Sequence, residues 1–263
     1  MDGQSLTMGF IGFGNMGRGI ARGLIDAGVL TGNQIIATAR NTERLRKATD
    51  AIGARALTST RELVAASDVV IVAVKPEDVP SVLEPVADSI GDSTMVISIA
   101  WGVNNAEMEA IIPRTHHISV IPNMPIAQAE GVLVVEDAHT LSDEQYSLFT
   151  ALFEPVALLE VVDAAHMSIG GIVSSCAPAF TAMYVEALAD AGVRFGLTRR
   201  SAYRLAAKMV QGTGAQILAD GEAPARLKDD VCSPGGATIK GVASLEQHGF
   251  RGAVISAIEA VQG

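Results

Sequence analysis

Met8-Gly9-Phe10-Ile11-Gly12-Phe13-Gly14-Asn15-Met16-Gly17 decides how the chain folds. A short apolar run ends in Gly-x-Gly-x-x-Gly, and a helical pattern follows at once. In that pattern Ile20 and Leu24 share one face, Arg18, Arg22 and Asp26 share another, and Gly28 supplies the stop. The glycine spacing alone is weak evidence. Between a strand and a helix at the start of a β-α-β unit it becomes fairly specific for a dinucleotide phosphate site. Gly12 suits the tight turn, Gly14 lets backbone approach a pyrophosphate, and Gly17 allows close packing of helix on strand. Phe13, Asn15 and Met16 complete the loop, whose N–H groups open the helix toward phosphate.

Outward from this unit, short apolar runs at residues 34–38, 69–74, 95–99, 117–120 and 131–135 alternate with helical patterns. That alternation predicts an α/β fold with a doubly wound parallel sheet of Rossmann type. Ser142, Asp143 and Glu144 open a further helix through Leu148 and Leu152, and residues 156–162 read as a last strand. The end of the second strand bears on the choice of cofactor. It reads Ala37-Thr38-Ala39-Arg40-Asn41, with no carboxylate to hold ribose hydroxyls. Arg40, with Asn41, Thr42 and Arg44 nearby, suits a 2′-phosphate and favours NADP, NADH being the alternative. Lys75-Pro76 and Pro122-Asn123-Met124-Pro125 end two other strands, where open α/β sheets place their ligands. Pro76 biases Lys75 toward extended backbone at the cleft. The prolines around Asn123 hold its amide in a defined turn, suited to orienting a nicotinamide.

Beyond about Asp163 strand signals cease. Residues 1–163 therefore read as the dinucleotide-binding domain and residues 164–263 as an all-helical domain. In the second, Thr198 is the expected N-cap of a helix through Tyr203, Leu205 and Met209, with Gly192 and Gly196 marking the preceding break. The 263 residues suffice for two domains; 49% are hydrophobic and only 4% aromatic, so Ala, Val, Ile, Leu and Met build the core. A formal charge of −10 disfavours nucleic acid and anionic membrane as partners. Residues 167–185 carry no charge, but their Ser, Gly, Pro and Thr content fits a buried helix of a soluble protein better than a membrane span. The short polar stretch Met1 to Thr7 does not read as a secretion signal, and Cys176 and Cys232 read as reduced packing residues, consistent with a cytoplasmic location. The five histidines show no zinc-ligand spacing, and no metal site is expected.

The second informative stretch is Leu227-Lys228-Asp229-Asp230-Val231-Cys232-Ser233-Pro234-Gly235-Gly236-Ala237-Thr238-Ile239-Lys240-Gly241. A Ser-Pro turn and two glycines leave backbone N–H groups open at a helix start, a good seat for a carboxylate, and Thr238 adds a hydroxyl. The same pattern also suits an ordinary capped loop. With this segment, GFIGFGNMG at 9–17 in its variant form, AVKP at 73–76, IPNMP at 121–125 and EALADAGVRFGLTRRSAYRLAA at 186–207, the chain resembles the pyrroline-5-carboxylate reductase family from Met8 onward. The resemblance implies NAD(P)H-dependent reduction of 1-pyrroline-5-carboxylate to L-proline, and a helical C-terminal domain that interlocks two subunits as a homodimer or an assembly of dimers. It also implies that Ser233 and the backbone of Gly236 and Ala237 hold the substrate carboxylate while Thr238 hydrogen-bonds the imine nitrogen. Residues 167–185 resemble the helix the family buries at its dimer centre.

Several departures fall around the expected cleft. Ser174-Ser175-Cys176-Ala177-Pro178-Ala179-Phe180 stands where the family commonly reads SGSGPAY, and Met124 stands in a segment commonly read MPNTP. Ser119 replaces a usual Arg, Trp101 a usual Ala, Thr60 lies near a usual Asn, and Ser168 and Gly171 replace a common Asp and Thr. Reduction of another cyclic imine and a non-catalytic NADP-binding sensor are the alternative readings. A 3-hydroxyacid dehydrogenase would need a Lys on the first long helix after the sheet, and residues 167–185 contain none.

Overall fold

The computed structural model describes residues 6–263 and forms strands over Met8–Ile11 (β1), Ile35–Thr38 (β2), Arg55–Ala56 (β3), Val69–Val72 (β4), Met95–Ser98 (β5), His116–Pro122 (β6), Gly131–Glu136 (β7) and Ala157–Val162 (β8). Helices interleave with them at Asn15–Asp26 (α1), Thr42–Asp50 (α2), Thr60–Ala65 (α3), Val79–Leu83 (α4), Asn105–Ile111 (α5) and Asp143–Phe153 (α6). The strands make one eight-stranded sheet in the order β3-β2-β1-β4-β5-β6-β7-β8. It is parallel except where β7 runs antiparallel to β6. This is the Rossmann-type α/β sheet the sequence predicts.

Strands β1, β2, β4 and β5 are buried at every position because helices cover both sheet faces. One face packs Phe10, Ile71, Ile97 and Ile118 under α1 and α6, and the other packs Ile11, Val70, Val72 and Val96 under α3, α4 and α5. The observed strands start or stop within one or two residues of the apolar runs, except that β6 extends to Pro122. The two-residue β3 had no detectable pattern. Side-chain caps set several helix starts: Asn41 accepts the Arg44 N–H, Asn104 that of Glu107, and Ser142 that of Gln145.

By packing, the chain divides into two compact units, with Ser175 ending the first and Cys176 beginning the second. The first unit closes with a short helix, Met167–Gly171 (α7), and a π-helical stretch, Ile172–Cys176, that straddles the division. The second consists of helices Ala177–Arg194 (α8), Arg199–Asp220 (α9), Pro224–Asp230 (α10), Ala237–Gln247 (α11) and Phe250–Gln262 (α12). Thr198 caps α9 as expected, its hydroxyl accepting the Ser201 N–H. Gly192 is not a break. The helix α8 runs through it, and a side chain there would press on Leu197 and Ala202. The turn falls at Gly196 instead, where φ is +99°.

The uncharged segment at 167–185 is only partly buried within one chain: Ile172 is 1% exposed, but Val173 is 58% and Met183 69% exposed. Met167–Arg194 is one helical run, among the described residues, long and apolar enough to cross a membrane. The reading of Met1 to Thr7 falls, for residues 1–5, outside the described residues.

Candidate active site

At the carboxyl ends of β1, β2 and β4 lies a cleft of about 520 Å³ lined by Gly12, Phe13, Gly14, Arg40, Arg44 and Lys75, among others. Its floor is set by Gly12. The backbone there has φ +90°, and a Cβ would lie 2.4 Å from the Ala73 carbonyl oxygen on the neighbouring strand. A residue with a side chain cannot make this turn without moving β4. Gly14, by contrast, has open space where its Cβ would be, so the cleft reaches its backbone unobstructed. Gly14 is also the N-cap of α1. No side chain caps that helix and no acid occupies its first turn, which leaves the leading N–H groups for an anion.

Arg40 follows β2 with its side chain 87% exposed and approaches Asp78 at 3.6 Å across the cleft mouth. Lys75 has the extended backbone that Pro76 imposes (φ −67°, ψ 151°) and pairs loosely with Glu77 at 3.7 Å. Three cations and one carboxylate thus line the cleft, and the end of β2 bears no acid that would repel a 2′-phosphate. The donor set, the open Gly14 backbone and the uncapped helix fit NADP. The structure therefore brings Gly12, Phe13, Gly14, Arg40 and Lys75 into one cleft with Thr60, whereas Asn15, Met16, Gly17 and Pro76 are not part of its lining. Asp78 carries no motif; only the fold sets it opposite Arg40.

Asn123 lies apart from this lining and is 5% exposed. Its Oδ1 accepts the Val132 N–H at 2.9 Å, and its Nδ2 donates to the Ser174 carbonyl at 3.0 Å. The Ser175 hydroxyl donates to the Pro122 carbonyl at 3.1 Å. The turn after β6 is thereby tied to the π-helical stretch.

A second cavity, of about 130 Å³, lies beside β6 and β7, with Trp101, Asn104, Ser119 and Glu136 in its lining. Glu136 was not singled out from the sequence. It is 2% exposed, and its carboxylate accepts the Asn105 N–H at 2.7 Å. Burial pushes its carboxyl up from the usual carboxylate value, more than that hydrogen bond lowers it. Burial likewise pushes the neighbouring His117 below the usual imidazole value, against the pull of Glu109 at 3.8 Å, and its Nε2 faces the Asn105 carbonyl.

In the second unit, Ser233, Gly236, Ala237 and Thr238 lie together at the start of α11. Gly236 is the N-cap, without a side-chain cap bond or an acid in the first turn. Its N–H donates to the Ser233 carbonyl at 3.0 Å, closing a turn around Gly235. A Cβ on Gly236 would lie 2.4 Å from the Ser233 hydroxyl, so glycine lets that hydroxyl sit over the helix start. The segment thus sets two hydroxyls and the uncapped start of one helix within a few residues, an arrangement chemically suited to an anion.

A sheet with a glycine-turned dinucleotide cleft, followed by a helical unit with an anion seat, defines an NAD(P)-linked oxidoreductase. Residues 7–102 match the family described as NADP oxidoreductase coenzyme F420-dependent, and residues 164–263 match pyrroline-5-carboxylate reductase dimerisation. The chain is 45% identical to a Treponema pallidum pyrroline-5-carboxylate reductase over 97% of its length and 98% of the relative's. Among solved structures it resembles a Plasmodium falciparum pyrroline carboxylate reductase with NADP bound (TM-score 0.85, 26% identity, 97% and 95% of the two chains). A Coxiella burnetii pyrroline-5-carboxylate reductase is equally similar (TM-score 0.85, 28% identity, 98% and 96%). The chain belongs to the pyrroline-5-carboxylate reductase family, NAD(P)H-dependent oxidoreductases that act on a C=N bond.

Proposed function

We propose that this chain reduces 1-pyrroline-5-carboxylate to L-proline with NADPH, residues 1–163 holding the cofactor and residues 164–263 the substrate and the dimer contact. The observation that carries the reading is the start of α11, where Ser233, Gly236, Ala237 and Thr238 form a carboxylate seat with a hydroxyl beside it. In the cleft, Gly12, Phe13 and Gly14 meet the pyrophosphate, Asn15, Met16 and Gly17 give it the helix end, and Arg40 takes the 2′-phosphate. Lys75 and Pro76 border the nicotinamide side, and Asn123 holds the β6 turn next to it.

NADPH, when bound, supplies the hydride that the imine carbon accepts. As the carbon takes the hydride, the C=N π electrons become the nitrogen lone pair, so an iminium substrate becomes a secondary amine, which then takes a proton to leave as the ammonium form of L-proline. Ser233, the Ala237 N–H and the Gly236 backbone, whose own N–H closes the turn onto Ser233, fix the carboxylate, and the Thr238 hydroxyl orients the nitrogen and relays a proton from water. Thr238 needs no acidity of its own, because a protonated imine is already electrophilic.

The exposed apolar residues of the helical unit, Met183 and Phe195 among them, suit burial against a second copy. The match of residues 164–263 to a dimerisation family supports a homodimer. Initial rates of NADPH and NADH oxidation across five- and six-membered cyclic imino acids test the assignment. Turnover of the five-membered acid with NADPH is expected, and silence across the panel overturns it. Gel filtration with light scattering reads the dimer.

A further inference from the structure

The cavity beside β6 and β7 holds one carboxylate and no basic side chain. Glu136 lies 2% exposed in its wall with a carboxylate that binds one backbone N–H. Ser119, also 2% exposed, has a hydroxyl with no hydrogen-bond partner. The register explains why the two meet. Val120 faces Val135 in the antiparallel pair, and one step further along brings Ser119 to Glu136 on the same sheet face. Asn105, whose N–H goes to Glu136, has its own Oδ1 buried without a partner. None of the lining residues is Lys, Arg or His, and the indole of Trp101 forms part of the wall. The charged groups felt at Glu136, Glu107 of α5 and Asp137, are acidic; burial pushes the nearby His117 below the usual imidazole value. Buried acceptors left unpaired are costly, so something with N–H donors is called for. At about 130 Å³ the space exceeds a single water, whose share of liquid is about 30 Å³, and suits an ion of about four heavy atoms.

We propose that this cavity binds a small organic cation with N–H donors, a primary ammonium or a guanidinium group, held by the Glu136 carboxylate and the Ser119 hydroxyl against the face of Trp101. The indole contributes a cation–π contact, and the carboxylate a charge-assisted hydrogen bond. The site is built entirely from the sheet unit and uses none of the residues assigned to the dinucleotide cleft.

Trp101 is the only tryptophan, so its emission reports occupancy directly. The full-length protein is titrated with methylammonium and with guanidinium chloride, below denaturing concentrations and at constant ionic strength. Sodium and potassium chloride, and tetramethylammonium chloride with no N–H, serve as controls, and calorimetry repeats each titration without relying on fluorescence. Saturable binding of the two N–H cations is expected, at least tenfold weaker in Glu136→Gln, which keeps an acceptor for the Asn105 N–H. Ser119→Ala weakens it severalfold, and Ser119→Arg abolishes it by placing a guanidinium in the cavity. Affinity in the wild type rises with pH as Glu136 ionises, and this rise disappears in Glu136→Gln. No saturable binding by either measurement, an equal response to the control salts, or unchanged affinity in Glu136→Gln overturns the proposal and leaves the cavity to water.

Discussion

Replacing Arg40 with Ala tests the cofactor side of the site most directly. Charge-assisted hydrogen bonds contribute about 1.5–3 kcal/mol. Arg40 begins in an exposed pair with Asp78 at 3.6 Å, which it must leave to hold a phosphate. Exposed pairs contribute about 0–1 kcal/mol, so the net preference for a 2′-phosphate is about 1–2 kcal/mol. At 1.4 kcal/mol per tenfold, Arg40→Ala weakens NADPH binding by about 5- to 30-fold. NADH lacks the phosphate, so its affinity stays within about twofold. Asp78→Asn acts in the opposite direction: it frees Arg40, removes a like charge from the phosphate and tightens NADPH binding, most visibly at low salt. Nicotinamide fluorescence titration of both cofactors against the three proteins gives the dissociation constants. Equal losses for NADPH and NADH in Arg40→Ala would refute the phosphate assignment and reduce Arg40 to a surface charge.

Other outcomes follow from single contacts. In α1, Gly23→Ala gains about 1 kcal/mol of helix propensity. Its Cβ would nevertheless lie 2.1 Å from the Ile126 carbonyl oxygen, and overpacking of about 1–3 kcal/mol makes the variant less stable in urea unfolding. Asn123→Ala leaves the half-buried Val132 N–H and Ser174 carbonyl short of a partner, a loss of about 1–3 kcal/mol read by the same assay. Burial raises the Glu136 pKa, so the folded state holds that proton more tightly than the unfolded chain. The group's contribution is full below the unfolded carboxylate value and is lost as pH rises through the raised folded value. Glu136→Gln therefore gains on the wild type as pH increases across that window, and parallel stability curves would exclude the buried carboxyl as their source. Thr238→Ala lowers kcat by about 10²-fold while leaving NADPH affinity unchanged, and Thr238→Ser restores most of the rate.

Legibility followed chemistry that is local in the chain. The strands β1, β4 and β5 are apolar throughout because both of their faces are covered, so each shows as an uninterrupted run bounded by Gly, Ser or Pro. Caps at Ser142 and Thr198 were equally visible, since a cap acts within three residues. Contacts across the sheet were not. Glu136 reads as the polar end of an apolar strand, and only the β6–β7 register reveals that it faces Ser119 inside a wall. Arg40, after β2, and Asp78, after β4, meet across the end of β1, 38 residues apart in sequence. Asn123 was noticed for its flanking prolines, yet its partner Ser174 lies 51 residues on, in a π-helical stretch that apolar composition does not announce. Gly192 misled for a related reason: glycine in a helix usually marks an end, but here it admits the side chains of Leu197 and Ala202.

The net charge of −10 opposes a chain whose proposed ligands are both anionic. The conflict resolves over distance. Screening confines exposed charges to about 8–10 Å at physiological salt, so the acidic surface is largely invisible inside the cleft, where Arg40, Arg44 and Lys75 outnumber Asp78. Helix ends act over a shorter range still. At α2, α3, α5, α6 and α9 a side-chain oxygen from Asn41, Ser59, Asn104, Ser142 or Thr198 already occupies the N-terminus. Lack of a cap is not distinctive by itself, since α10 and α12 lack one too. At α1 and α11 it coincides with a glycine N-cap, a second glycine one or two residues before it, and a first turn without acids. That combination removes the internal oxygen, the side chain and the repulsion that would each keep an anion away. In the rest of the chain the acidic balance discourages anions that have no such seat, and so favours the two sites over nonspecific attachment.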